Sequence, residues 1–133
     1  MASVKLDIPI AAPAAHVWDA VRDVGAIHTR FVPGFVTDTK LEGDMRTVTF
    51  ETGLVARELI VDLDEKAMRL AYSVQGSELM SHHHASFEVV PEGTETCRLV
   101  WQADFLPEAA AEPVREMMET GATVMKRTLG GRD

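Results

Sequence analysis

Apolar and polar residues alternate with a period of two through most of this chain, and the period lengthens to that of a helix near each end. Val4, Leu6, Ile8 and Ile10 alternate with Lys5, Asp7 and Pro9, which predicts a half-buried strand over residues 4–10. Pro9 places that strand at a sheet edge or marks a bulge. Ala12 and Pro13 then open a short helix with Val17, Trp18 and Val21 on one side and Gly25 at its end. Residues 26–30 add a further turn of helix before the Pro33-Gly34 turn. Strands follow at 35–41, 45–51, 54–63, 68–74, 83–90 and 97–105, parted by turn-forming residues such as Gly43, Gly53, Asp64-Glu65-Lys66, Gly76-Ser77 and Pro91-Glu92-Gly93. Arg46, Val48 and Phe50 share one parity, as do Met68, Leu70, Tyr72 and Val74, then Phe87 and Val89, then Cys97, Leu99, Trp101, Ala103 and Phe105.

Beyond Pro107 the spacing changes. Val114, Met117, Met118, Gly121, Ala122, Met125 and Leu129 recur at steps of three and four, which predicts a long helix over about 108–129 with one apolar face. Pro113 falls in its opening turns, Lys126 and Arg127 near its end, and Gly130-Gly131 supply a stop. The apolar stripe is methionine and small residues, with no aromatic. Methionine adapts its shape, and Gly121 and Ala122 leave room, so the stripe suits one wall of a cavity as well as it suits an ordinary core.

One strand, one or two short helices, six strands with short connections and one long helix predict an α+β fold, with an antiparallel meander curved around the C-terminal helix. At 133 residues the chain is expected to form one domain spanning 1–133. Its net charge of −8 argues against nucleic acid and anionic membrane surfaces as partners. Cys97 is the only cysteine, so no intrachain disulfide can form, and a reducing, cytoplasmic setting is expected. No signal peptide is expected, since Asp7, Pro9 and Pro13 interrupt the N-terminal apolar run, and no stretch is long enough to insert in a membrane.

Glu58 is the sharpest candidate for chemistry. Facing a cavity, its carboxyl would be raised in pKa by desolvation unless Arg46 paired with it, and could then act as an acid or base. The alternating set Leu59, Val61 and Leu63 gives the opposite reading, with Glu58 turned outward; a structural Arg46–Glu58 pair is a third. In His82-His83-His84, His83 shares the inward parity of Phe87 and Val89. His82 and His84 lie on the other face, too few for a metal site without a third ligand, so no metal is assigned. His28 is expected near the cavity mouth beside Phe31. Cys97 reads as a buried, inert thiol. No nucleophile elbow, phosphate loop or dinucleotide fingerprint is present, and nothing indicates a cofactor.

The element order together with the stretch 43–53, GDMRTVTFETG, resembles the SRPBCC superfamily (START-like and birch-allergen-like proteins), and more narrowly its polyketide cyclase/dehydrase branch. Glu58, the turn at Asp64-Glu65, residues 72–76 and Trp101 before Pro107 carry the same resemblance. It implies a helix-grip fold: a seven-stranded antiparallel sheet bent around the C-terminal helix, with a mostly apolar cavity between. Similarity to the abscisic-acid receptors of that superfamily implies that Arg46, Glu58, His83 and Ala85 are on the inner sheet face. The gate loop of those receptors has no counterpart of equal length after Gly53, and their ligand-binding lysine falls near Thr29, so a hormone-receptor role is not expected. The resemblance implies a binder of a small hydrophobic molecule, with Val48, Phe50, Tyr72, Phe87, Trp101, Met117, Met118 and Met125 as its walls. As the alternative, it implies a cyclase or dehydratase using Glu58, His83 and Arg46 in the same cavity. A small interaction module without a ligand, monomeric or homodimeric, is the remaining expectation.

Overall fold

The computed structural model describes residues 2–130. Seven strands form one sheet: β1 (Ala2–Ile10), β2 (Val36–Glu42), β3 (Met45–Phe50), β4 (Val55–Asp64), β5 (Arg69–Gln75), β6 (His82–Pro91) and β7 (Cys97–Leu106). Their spatial order is β1-β7-β6-β5-β4-β3-β2, and every neighbouring pair is antiparallel. From β2 to β7 each strand lies beside its neighbour in sequence, because each connection is a short turn. Gly43, Gly53, Gly76 and Gly93 occupy those turns with positive φ. β1 closes the order from a distance, pairing along its length with β7 from Ala2↔Phe105 to Ile10↔Cys97. It is an edge strand, where Pro9 is tolerated.

Three helices cover the inner face: α1 (Ala14–Val21), α2 (Ile27–Arg30) and α3 (Ala111–Gly130), the last preceded by a 3₁₀ turn at Glu108–Ala110. The architecture is the α+β meander around a C-terminal helix expected from the pattern, and the helix-grip fold implied by the resemblance. α1 ends at Val21, ahead of Gly25, where an added Cβ would meet the Leu41 side chain at 3.5 Å. Trp18 Nε1 donates to Glu65 Oε1 at 2.8 Å, and Arg22 grips the same carboxylate at 2.6 Å, so the β4–β5 turn holds α1 in place. Met68 lies in that turn with φ 53° and not in the strand its alternation suggested.

α3 buries Val114, Met118, Gly121, Val124, Met125 and Leu129, while Met117 and Ala122 are half-buried. Val124 falls outside the predicted stripe. Gly130 ends the described helix; Gly131, the other half of the expected stop, lies outside the described residues. No helix among the described residues is long and apolar enough to cross a membrane.

Gly121 does not leave empty space. A Cβ there would meet Phe35 Cε2 at 3.2 Å and Trp101 Cζ3 at 3.3 Å. The two rings use the missing side chain to approach the helix backbone, and this contact sets the distance between α3 and the sheet. Gly121→Val is therefore expected to force these rings apart and lower stability by about 1–3 kcal/mol, measured as a lower urea midpoint at unchanged slope.

Candidate functional site

Sheet register decides which side chains face inward. Arg46 pairs with Glu58 across β3 and β4, and Glu58 pairs with Val74 across β4 and β5, so one row of inner positions runs Arg46, Glu58, Val74. The next row places Ile60 beside Tyr72 and Ala85, and the next Leu70 beside Phe87 and Trp101. The conflict over Glu58 is resolved by a bulge between Ile60 and Asp62. Glu58 and Ile60 point inward before it and Leu63 after it, while Val61 is turned to solvent. Alternation of Leu59, Val61 and Leu63 thus does not mark one face, because the extra residue shifts the parity.

Between this face and the helices is a cavity of about 520 Å³. Val48, Phe50, Tyr72, Phe87, Trp101, Met117, Met118 and Met125 all line it, as do Arg46, Glu58 and His83. Further wall residues come from the segment after α1: Ile27, Phe31, Val32 and Phe35. None of these four was among the expected walls, although the expected helical turn over 26–30 and the expected strand from Phe35 include Ile27 and Phe35; the signal was four apolar residues around Pro33-Gly34, too apolar for an exposed loop. Phe87 stacks on Trp101 with centroids 4.8 Å apart and meets Phe31 edge-on at 5.2 Å. Leu54, Val55 and Leu79 stand exposed at the rim. His28 is not on the cavity wall; its Nδ1 is buried without a hydrogen-bond partner among the described residues.

The polar groups collect at one end. Arg46 is 2 % exposed and Glu58 7 %, and both Nε and Nη2 of Arg46 reach Glu58 Oε1, at 2.9 and 2.6 Å. Arg46 Nη1 donates to the Val24 carbonyl at 3.3 Å, and its guanidinium lies 5.5 Å from the Tyr72 ring centre. Glu58 Oε2 has no hydrogen-bond partner among the described residues. Trp101 Nε1 donates to the Tyr72 hydroxyl oxygen at 3.1 Å, which leaves the hydroxyl proton without an acceptor among the described residues. Burial, with the Glu58 charge adding to it, pushes the Tyr72 phenol above its ordinary range.

His83 fills a gap in the sheet. Pairing between β5 and β6 reaches Tyr72↔Ala85 and stops. Beyond it the Val74 N–H donates to His83 Nδ1 at 3.1 Å, and the Ser73 hydroxyl donates to the His83 carbonyl. Nδ1 is thus an acceptor, and in the neutral ring the proton is on Nε2. Burial, helped by the neighbouring His84 and His82, lowers the His83 pKa from 6.5 to about 4. Its ring lies 5.8 Å from that of Tyr72. Among the described residues no cluster of histidine, cysteine or carboxylate could hold a metal ion. Cys97 is buried, and that burial raises its thiol pKa.

The sequence matches the family described as polyketide cyclase/dehydrase and lipid transport over residues 1–131. No curated protein matches it. A protein from Thermobifida fusca with a solution NMR structure is 31 % identical, at a TM-score of 0.80 over 98 % of this chain and 91 % of that one. The di-domain ARO/CYC BexL from the BE-7585A biosynthetic pathway is 14 % identical, at a TM-score of 0.84 over 97 % of this chain and 46 % of that one. A START superfamily protein from Mycobacterium smegmatis is 15 % identical, at a TM-score of 0.75 over 98 % of this chain and 95 % of that one.

Two expectations follow from this geometry. Arg46→Met strands a buried carboxylate and is expected to cost about 3–5 kcal/mol, while adding Glu58→Met restores most of it, a contrast measured by denaturant titration of both variants. His83 is neutral when folded and takes up a proton more readily when unfolded. Stability is therefore expected to fall as pH drops from about 6.5 to about 4, by up to about 3 kcal/mol from this residue, and His83→Asn should flatten that slope.

Proposed function

The chain belongs to the polyketide cyclase/dehydrase and lipid-transport family, and from that premise we propose that it binds a small, mostly apolar molecule in the cavity under α3. The observation that carries this reading is the cavity itself: about 520 Å³, walled by aromatic and methionine side chains, with its buried polar groups gathered at one end. Pockets of this size and character are the usual sites of small-molecule binding. Close packing is the rule in protein interiors, so an occupant of a void this large beneath stacked aromatic rings would recover the lost contacts. Removing about 300 Å² of apolar ligand surface from water contributes roughly 7 kcal/mol before the cost of association. Arg46, Glu58, His83 and Tyr72 would orient the ligand's polar end. A cytoplasmic setting fits the lone buried Cys97.

Cyclisation or dehydration in the same cavity is supported by one specific feature. Among the described residues Glu58 Oε2 accepts no hydrogen bond and the Tyr72 O–H has no acceptor, at the same end of the cavity. His83 is less suited to act as a base, since Nδ1 is already engaged by the Val74 N–H. Binding needs none of these groups to turn over.

Native mass spectrometry of the purified protein, with release and identification of any bound molecule, tests the container directly; a mass equal to the bare chain, with no thermal shift from apolar ligands, would overturn it. Met117 lines the cavity but is only half-buried, so Met117→Trp fills space without displacing the core. It is expected to weaken ligand binding by at least about tenfold, or 1.4 kcal/mol, in calorimetry while leaving far-ultraviolet circular dichroism unchanged.

A further inference from the structure

The ionic groups of the cavity differ in sign and in depth, and their balance bears on what can enter. Deep in the cavity, Arg46 and Glu58 neutralise one another at 2.6 Å. At the rim, Arg57 and Glu78 are again one of each sign, and both are exposed to water. The histidine of the polar end is uncharged by construction, because its Nδ1 accepts the Val74 N–H and cannot also carry a proton. Among the described residues no net buried charge is therefore left over to meet a charge on a ligand: the unbonded Glu58 Oε2 belongs to a carboxylate whose charge Arg46 already offsets. A carboxylate or ammonium carried to this depth would give up its hydration and find its counter-ion already paired. An uncharged oxygen has no such penalty, and the polar end offers it a partner. The Tyr72 oxygen already accepts from Trp101 Nε1, so the hydroxyl proton is directed elsewhere, and it has no acceptor among the described residues. A phenol buried this deeply donates its proton and does not lose it.

We propose that the cavity selects molecules whose polar end is an uncharged hydrogen-bond acceptor, a ketone or ester oxygen held by the Tyr72 hydroxyl, over carboxylates and amines of the same length. This rests on the reading that the cavity holds a small apolar molecule, and it narrows the class of that molecule. The Arg46–Glu58 pair acts here as a filter: by cancelling its own charge it withdraws the electrostatic attraction that either partner alone would offer.

The test is isothermal calorimetry at pH 7 with three probes of equal chain length, 2-decanone, decanoate and decylammonium. The ketone is expected to bind at least about tenfold more tightly than either ion, the difference arising from desolvating a charge without a counter-ion. Decanoate should bind more tightly as pH falls through its own carboxyl pKa, which requires no variant. Glu58→Gln leaves Arg46 unbalanced and should reverse the order in favour of decanoate. Tyr72→Phe should weaken the ketone several-fold, with near-ultraviolet circular dichroism confirming an intact fold. Decanoate or decylammonium binding the unaltered protein as tightly as the ketone would overturn this selectivity while leaving the container in place. Unchanged ketone affinity in folded Tyr72→Phe would overturn the assigned donor. Binding of none of the three would overturn the container reading itself.

Discussion

A seven-stranded sheet has more apolar area on its inner face than one helix can cover, and the structure is shaped by that mismatch. α3 approaches the sheet closely at Gly121, where Phe35 and Trp101 lie against the helix backbone. On one side of that contact the core is filled, by Val4, Ile8, Ile10, Leu99 and Phe105 together with Val124 and Leu129. On the other the sheet curves away, and α1, α2 and the loop after them roof the space without filling it. The cavity is what remains where helix and sheet diverge. Its wall depends on aromatic stacking for shape and on methionines of α3 for accommodation, since thioether side chains reshape at low cost.

Polar groups inside such a space must satisfy one another. Arg46 and Glu58 do so across adjacent strands, helped by the Val24 carbonyl, which ties the pair to the segment beyond α1. His83 does it differently, substituting for a missing strand partner by accepting the Val74 N–H where β5 and β6 part. That parting widens the cavity end at which Tyr72 and the ion pair are found. The same side chains therefore stabilise an irregular sheet and set the chemistry of its lining, so their structural and functional roles are not separable by position alone.

Much of this was legible in the residue pattern. Alternation and turn residues located all seven strands within about a residue or two at each end, the limit to which such boundaries are defined. The methionine spacing located the helix that closes the fold. Parity placed Arg46, Val48, Phe50, Tyr72, His83, Phe87 and Trp101 on one face, and all of them line the cavity. Less visible was the wall role of Val32 and Phe35, since residues 31–34 have no period of their own and Phe35 falls at the very start of the expected strand 35–41.

Local sequence determined the elements, because a period of two or 3.6 is a property of neighbouring residues and survives whatever those elements later pack against. It determined the meander too, since short turns leave antiparallel pairing as the only outcome. Only the tertiary structure decided which way Glu58 points, because one extra residue in β4 reverses the parity and nothing nearby in the chain announces it. Only there does the space beside Gly121 turn out to be taken by two rings from distant strands and loops. Only there is His83 Nδ1 committed to a backbone amide nine residues earlier in the chain. Each of these depends on register and on close approach between separate elements, and those are fixed by packing, not by the pattern within any one of them.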